Sequence, residues 1–384
     1  MHEKIMELDI LGEDWNNVEY IIPYGCGLEA YRSLKRIIMD FNVPYIVDND
    51  PQKWGTDFYG IPIKSPDELK HKKNNEKVLV TIAKRRYEEI KKYLEKFDLK
   101  DKYDFCHISQ FAIEWYYKNK KEYCIFTMDM AITTACSLKC KNCNMFTPYY
   151  KKPIMYSFED LKRSVDLFFA RIDYVFCIGI LGGEALLNKD LERFVEYLYE
   201  NYNSKFGSVC ITTNGVLFPT KEQLSVIKKN NIIMAISDYK EAIKDKSRID
   251  ELEKLFIDNG IVCKVRRDLT WCDFGFPNKR LDIADDHARE HMMGCNPGWR
   301  GLNEGKFYFC NCAWSAEKAG LFQLDLDDWL DLAKMPVCEE TKEKIVEYSL
   351  GHMEKGYMSF CKVCGGCGED NTNYVNAGEQ LYLE

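Results

Sequence analysis

Along the first hundred residues, short apolar runs alternate with amphipathic stretches. YIIPY (20–24) is an unbroken apolar run that stops at Gly25 and Gly27. LEAYRSLKRIIMDF (28–41) then sets Leu34, Ile37 and Ile38 on one face of a helical period. PYIVDND, GIPI and KVLVTIA read as further strands and YEEIKKYLEKF as a helix. Strands and helices in alternation over short connections predict a small parallel α/β domain of Rossmann-like type, taken as residues 1–118. From 119 to 290 the alternation is longer and more regular. YCIFTMDMAITTAC, DYVFCIGILGG, SVCITTNG, NIIMAISDY and IVCKVRRD read as strands. FEDLKRSVDLFFARI, LERFVEYLYENY, KEQLSVIKKN and RIDELEKLFIDNG, the last closed by Gly260, read as helices. The expectation is a partial (β/α)6 TIM-like barrel. Residues 291–384 are weakly periodic, with helices predicted for LDDWLDLAK and ETKEKIVEYSLGHM and a hairpin turning at Glu304-Gly305.

Composition narrows the class. Hydrophobic residues make up 46% and charged residues 30% of 384 positions, the balance of a globular protein. No apolar run is long enough to span a bilayer. MHEKIMELDILGEDW lacks the layout of a signal peptide, so a cytoplasmic protein without a membrane partner is expected. The net charge of −8 speaks against a nucleic-acid partner.

The anomaly is the count of 17 cysteines. A disulfide framework is not expected in a reducing compartment. Scattered thiols such as Cys26, Cys106, Cys177, Cys210 and Cys263 suit a core. Cys136/Cys140/Cys143, Cys310/Cys312 and Cys361/Cys364/Cys367 are clusters, and clustered reduced cysteines point to metal.

Cys136-x3-Cys140-x2-Cys143 lies on a loop after a predicted strand. Three thiolates from one loop wrap a cubane and leave its fourth iron open, as catalytic metal sites leave a position open. A zinc site or buried bystander thiols are the alternatives. In this context the spacing resembles the radical S-adenosylmethionine (SAM) superfamily, although Asn142 stands where the family usually has an aromatic residue. The resemblance implies a catalytic 4Fe–4S cluster whose open iron binds SAM. Reductive cleavage would give a 5′-deoxyadenosyl radical that abstracts hydrogen, fed by an electron donor such as flavodoxin or ferredoxin. Gly182, Gly183 and Glu184 resemble the family's second-strand motif, where a glycine turn approaches the methionyl part of SAM and a carboxylate suits its amine. Thr213, Asn214, Ser237 and Asp238 end the next strands. In similar proteins these ends face the cofactor and substrate, and Arg266 suits a carboxylate or phosphate.

Cys295, a hairpin, Cys310, a helix and a closing C-x2-C resemble the SPASM/twitch extensions, which hold auxiliary 4Fe–4S clusters. One auxiliary cluster is expected, on Cys295, Cys310, Cys361 and Cys364. Cys312 and Cys367 are the alternative ligands, or thiol hydrogen-atom donors if the enzyme is an epimerase. A zinc ribbon is the competing reading. Near the start, Gly25-x-Gly27-x-x-Ala30 with Asp48 and Asp50 comes close to a dinucleotide fingerprint. The segment also resembles small Rossmann-like modules of bacterial surface-polysaccharide and sugar-modifying proteins. NAD, a nucleotide sugar, and a structural or docking role all stay open for it.

The combination suggests oxidation or epimerisation of a carbohydrate-type small molecule, a sugar, aminocyclitol or nucleotide sugar. Asp238, Asp273 and His291 are candidate bases. Trp271 and Trp299 are candidate floors for a C–H-rich ring. Similar enzymes pass the second electron to the auxiliary cluster. A peptide-modifying SPASM-type maturase is the alternative, and it predicts a winged-helix leader-binding module. A non-catalytic iron–sulfur scaffold is the third reading.

Overall fold

The structure, a computed structural model, describes residues 11–239, 243, 245–267, 270–295 and 298–381. Asp268, which ends the predicted strand IVCKVRRD, lies outside them. Packing divides the chain into two units. One holds the residues up to Phe126 together with Asp173–Cys177 and Phe206–Ser208, and the other holds the remainder.

The first unit is built from β1 (Tyr20–Tyr24), α1 (Leu28–Asp40), β2 (Ile46–Val47), β3 (Asp57–Phe58), β4 (Ile61–Lys64), β5 (Glu76–Val80), α2 (Tyr87–Leu94), β6 (Phe105–His107) and α3 (Ile108–Lys120). Its six-stranded sheet has the order β3-β4-β2-β1-β5-β6. All pairings are parallel except β3 with β4 at one edge. Successive residues of β1 point to opposite faces. Ile21 packs with Ala30, Leu34 and Ile37 of α1 and Phe111 and Trp115 of α3. Ile22 and Tyr24 pack with Val78, Val80 and with Ile90 and Leu94 of α2. Helices therefore cover both faces of a parallel sheet, which explains why its strands are apolar runs rather than alternations. α3 was not legible as a helix. Its buried positions run Ile108, Phe111, Ala112, Ile113, Glu114, Trp115 and Tyr116, so no single apolar stripe exists.

The second unit is organised on an eight-stranded sheet. Its strands and helices, from strands that begin in the first unit onward, are β7 (Cys124–Thr133), α4 (Phe158–Phe169), β8 (Tyr174–Gly182), α5 (Leu191–Tyr202), β9 (Phe206–Thr213), α6 (Lys221–Lys229), β10 (Ile233–Ser237), α7 (Ser247–Asp258) and β11 (Cys263–Arg266). These five strands, joined by four helices, stand in chain order across the sheet. Capping boxes start two of the helices, Ser157 with Asp160 for α4 and Thr220 with Gln223 for α6. Gly260, with φ of 69°, closes α7 as expected, and its N–H donates to the Ile257 carbonyl at 2.9 Å. The C-terminal part adds β12 (Thr270–Cys272), α8 (Asp285–Cys295), β13 (Gly301–Asn303), β14 (Lys306–Tyr308), α9 (Asn311–Lys318), β15 (Trp329–Asp331), α10 (Glu339–Ser349) and β16 (Tyr374–Asn376).

β13 joins the sheet beside β7, in parallel, with Gly301 opposite Asp129. The expected hairpin follows. Glu304 and Gly305, with φ of 54° and 71°, are both left-handed, the geometry of the tight turn that matches strand twist. LDDWLDLAK is not the predicted helix. Residues 329–331 pair antiparallel with β14, and 332–334 form a single 3-10 turn. Leu330 is buried between half-buried Trp329 and Asp331, a period of two, and Trp329 faces Tyr308 with ring centroids 6.2 Å apart. β12 pairs with β16 in a separate two-stranded ribbon. Among the described residues, no helix is long and apolar enough to cross a membrane.

One buried group makes the first unit sensitive to acid. His107 accepts the Ser109 N–H at Nδ1 (3.2 Å), and its Nε2 sits 2.9 Å from the Ile82 carbonyl. Burial lowers its pKa to about 4. The unfolded chain takes up a proton near pH 6.5 while the folded one does not. Stability is therefore full above that pH and falls as pH drops from 6.5 towards about 4. The loss amounts to about 3 kcal/mol. Urea unfolding measured across this window should show the loss, and the His107→Gln variant should flatten it.

Candidate active site

β7 ends at Thr133, and the chain then enters the cysteine loop. Thr134 fixes that exit, donating its N–H to the Ile154 carbonyl (2.8 Å) and accepting the Ile154 N–H on its hydroxyl (2.7 Å). The end of β8 lies against the same loop. The Gly183 N–H donates to the Thr133 carbonyl (2.9 Å) and the Glu184 N–H to the Ala135 carbonyl (2.8 Å). A Cβ on Gly182 would stand 2.1 Å from the Thr133 oxygen, and one on Gly183 would stand 2.1 Å from the Ala135 oxygen. Both glycines are required by backbone approaching backbone.

Glu184 is turned into the protein, 1% exposed. One carboxylate oxygen accepts the Asn214 N–H (2.8 Å) and the Thr213 hydroxyl (3.0 Å), and the other accepts the Leu186 N–H (3.2 Å). Burial raises its pKa against these bonds. It thus ties the ends of β8 and β9 together, a role that its place in a Gly-Gly-Glu motif did not announce. Asn214 in turn donates its side-chain N–H to Cys136 Sγ (3.5 Å) and to the Ser137 hydroxyl (3.0 Å).

Each thiol of the loop meets a donor from the protein. Cys136 Sγ accepts the Leu138 N–H (3.4 Å), Cys143 Sγ the Thr147 hydroxyl (3.5 Å) and Cys140 Sγ the Gln380 side-chain N–H (3.4 Å). Cys136 and Cys140 each lie within electrostatic reach of Cys143. Burial pushes both thiols up to about 12, which a bound metal charge would reverse. Three thiols, sulfur-directed donors and an interior position fit an iron–sulfur cluster held through Cys136, Cys140 and Cys143.

Other sequence-predicted residues gather at the end of β10. Ser237 is buried and Asp238, with its side chain 4% exposed, lies 3.6 Å from Arg267 Nε. Tyr239 hydrogen-bonds Ser237 and lies within electrostatic reach of Cys140, Cys143 and Arg266. Trp271 meets Tyr239 edge-on, with centroids 5.3 Å apart. Asp273 lies elsewhere, accepting the Gly275 N–H (2.9 Å) in a local turn.

His291 and Trp299 belong to a second cysteine site. They line a pocket with Cys295, Cys310, Cys312, Cys361 and Cys364, and with Phe274, Phe309 and Phe360 as apolar walls. His291 is held by Asp370 (2.9 Å) and the Cys364 carbonyl (2.9 Å). Cys367 does not line the pocket but lies against it. Its Sγ is 3.7 Å from that of Cys295, and its N–H donates to the same sulfur at 3.3 Å. Cys312 donates to Cys310, which holds the Cys310 thiol below its ordinary pKa, while burial raises those of Cys361 and Cys364. The buried Arg300 lies 3.8 Å over the Phe309 ring and donates to the Phe309 carbonyl (3.0 Å). Burial lowers its pKa to about 10 and the neighbouring Cys310 opposes that fall. Among the described residues, no three His, Cys, Asp or Glu side chains converge on one point as they would for a single metal ion.

In the first unit, the fingerprint-like loop is braced from within. Asp48 accepts the Cys26 N–H (2.8 Å), the Cys26 thiol (3.1 Å), the Asp50 N–H (2.9 Å) and the Lys53 ammonium (3.1 Å). Asp48 thus holds the loop that precedes α1, two residues before its first turn.

The site is thus a cysteine loop at a strand end, closed by a glycine turn from the next strand. Residues 130–253 match the radical SAM superfamily. The chain carries a radical SAM domain over those residues. Among solved structures, it is similar to SuiB of Streptococcus suis bound to S-adenosylmethionine, with 21% identity, TM-score 0.32, and 38% of this chain and 36% of that chain covered. It is also similar to anSMEcpe with bound AdoMet and the Cp18Cys peptide, with 18% identity, TM-score 0.32, and 43% and 45% covered. For BtrN in complex with AdoMet and 2-DOIA the values are 16%, 0.44, 63% and 93%. The match thus spans about a third of the SuiB chain and under half of anSMEcpe.

Gly183 gives the site its sharpest steric test. Gly183→Ala puts a Cβ 2.1 Å from the Ala135 carbonyl and 2.9 Å from Cys136 Cβ. Iron bound by the Cys136 loop should fall to about half or less of wild type, a backbone clash at a special position being among the costly substitutions. Iron analysis after anaerobic reconstitution, against the Cys136→Ala/Cys140→Ala/Cys143→Ala variant as baseline, reads the difference.

Proposed function

We propose that this radical SAM enzyme abstracts hydrogen from a carbohydrate-type small molecule, leading to oxidation or epimerisation at a carbinol carbon. The observation that carries the reading is the corner at the end of β10. There Tyr239 and Trp271 stand edge to face, within electrostatic reach of Cys140, Cys143 and Arg266, and Asp238, next to Tyr239 in the chain, lies 3.6 Å from Arg267. Flat aromatic faces suit a C–H-rich ring, a carboxylate suits a hydroxyl proton, and a guanidinium suits an anionic substituent. The three functional parts are residues 1–118, 119–290 and 291–384.

Bound at the Cys136 loop, the cluster and SAM supply the hydrogen-abstracting chemistry. The chain's own residues do the rest. Tyr239 and Trp271 position the ring, Arg266 orients it, and Asp238 takes the hydroxyl proton when the product is a ketone. Asp273 and His291 remain weaker candidates for that base, since one is engaged in a turn and the other in the second cysteine site. Cys295, Cys310, Cys361 and Cys364 would hold an auxiliary cluster, which would supply an acceptor for the second electron. The apolar walls of their pocket and the thiol donor set support that assignment. Cys312, also in the pocket, and Cys367, beside Cys295, are the alternative ligands or the hydrogen-atom donor of an epimerisation. An electron donor of flavodoxin or ferredoxin type completes the cycle, and the expected compartment is the cytoplasm.

Mass spectrometry of sugars, aminocyclitols and nucleotide sugars against candidate peptides, each incubated with reduced enzyme and SAM, tests the substrate class. A product two mass units lighter, or one deuterium heavier in D2O, among the sugars supports the proposal. A modified peptide with untouched sugars overturns it in favour of a maturase. With the right substrate, Asp238→Asn should lower kcat for oxidation by about 10²-fold or more while KM changes little.

A further inference from the structure

The last described residues of the chain run back to the catalytic cysteine loop. After β16 has paired with β12, the chain reaches Gly378. Its φ is 73°, and a Cβ there would stand 2.8 Å from Tyr239 Cβ. Only glycine passes this close to Tyr239. Beyond it, residues 379–381 lie antiparallel to residues 139–141, with Cys140 opposite Gln380. The Lys141 N–H donates to the Glu379 carbonyl (2.7 Å) and the Leu381 N–H to the Lys139 carbonyl (2.6 Å). The Lys141 ammonium pairs with the Glu379 carboxylate at 3.5 Å. Gln380 uses both ends of its side chain. Its carbonyl accepts the Lys139 N–H (2.9 Å), and its N–H group donates to Cys140 Sγ (3.4 Å) and to the Gly378 carbonyl (2.6 Å).

We infer that residues 378–381 are a structural part of the catalytic cluster site: a strap that fixes the Cys140 segment, with Gln380 as a positioning residue that sets the cluster's reduction potential through its bond to Cys140 Sγ. The physical argument has two parts. A loop of eight residues carrying three ligands has few backbone partners of its own. The strap supplies paired backbone bonds on either side of Cys140 and so lowers the entropy lost when the cluster is assembled. An N–H aimed at a ligating sulfur stabilises the more negative, reduced cluster, and so raises its potential. The same segment runs past Tyr239, so the strap also borders the corner where substrate is placed.

The inference rests on a cluster at Cys136, Cys140 and Cys143, and the experiment separates the two. Reconstituted holoenzyme is compared with Gln380→Leu, with Gln380→Glu, and with a chain ended after Ala377. The Cys136→Ala/Cys140→Ala/Cys143→Ala variant supplies the background of any other cluster. Iron per chain, the midpoint potential followed by EPR, and iron release to a chelator are measured. Gln380→Glu keeps the acceptor for Lys139 but removes the N–H donor and brings a negative charge to the sulfur. Both Gln380 variants should load as much iron as wild type, with potentials shifted downward, Gln380→Glu further than Gln380→Leu. The shortened chain should release the loop's iron at least tenfold faster. Potentials equal to wild type in both Gln380 variants, together with an unchanged release rate in the shortened chain, would overturn the inference. Equal iron in wild type and the triple variant would instead remove the cluster itself, and the inference with it.

Discussion

Everything at the site depends on a backbone-to-backbone contact. The Gly182-Gly183 turn presses against Thr133–Ala135 so closely that no side chain fits at either glycine. That contact sets where β7 hands over to the cysteine loop. Glu184, the next residue, carries the constraint onward by binding the last residue of β9 and the first residue after it. Asn214 carries it back to Cys136. Three strand ends are thereby locked around the loop before any cofactor is present. This is the preorganisation that a site with three ligands on one short loop requires.

The thiols show why the frame must be strong. Cys136 and Cys140 are buried enough to hold their protons at neutral pH, and six further cysteines gather in the C-terminal part. Buried thiols are poor ligands until a metal displaces their protons, so much of the local stability is coupled to metal loading. The donors that reach the sulfurs come from widely separated places: Leu138, Thr147, Asn214 and, from the other end of the chain, Gln380. Arg300 brings a buried positive charge to the second cysteine site in a comparable way.

Much of this was legible in the sequence because it is local. The cysteine spacing, the Gly-Gly-Glu turn, the alternating strands and helices and the Glu304-Gly305 hairpin each follow from residues close together in the chain. What was not legible depends on distant partners. Gln380 lies in an ordinary polar ending, and its role follows only from pairing with residues 139–141. Glu184 reads as a carboxylate suited to an amine, and its bonds to Leu186, Thr213 and Asn214 appear only in the fold. LDDWLDLAK has helical composition, but Trp329 and Leu330 find partners in β14 and become a strand. α3 gave no helical signal because it is buried on more than one side. The fingerprint-like glycines of the first unit proved ambiguous for the same reason, since their loop is braced by Asp48 from beyond α1.

The central claim is that the Cys136 loop holds a cluster that cleaves SAM. The most direct measurement is anaerobic: the protein is reconstituted with iron and sulfide, reduced and given SAM, and 5′-deoxyadenosine is assayed beside the Cys136→Ala/Cys140→Ala/Cys143→Ala variant. 5′-Deoxyadenosine is expected from wild type and none from the variant, with residual iron in the variant marking the second site. Equal product from both proteins, or zinc in place of iron in the wild-type loop, would contradict it.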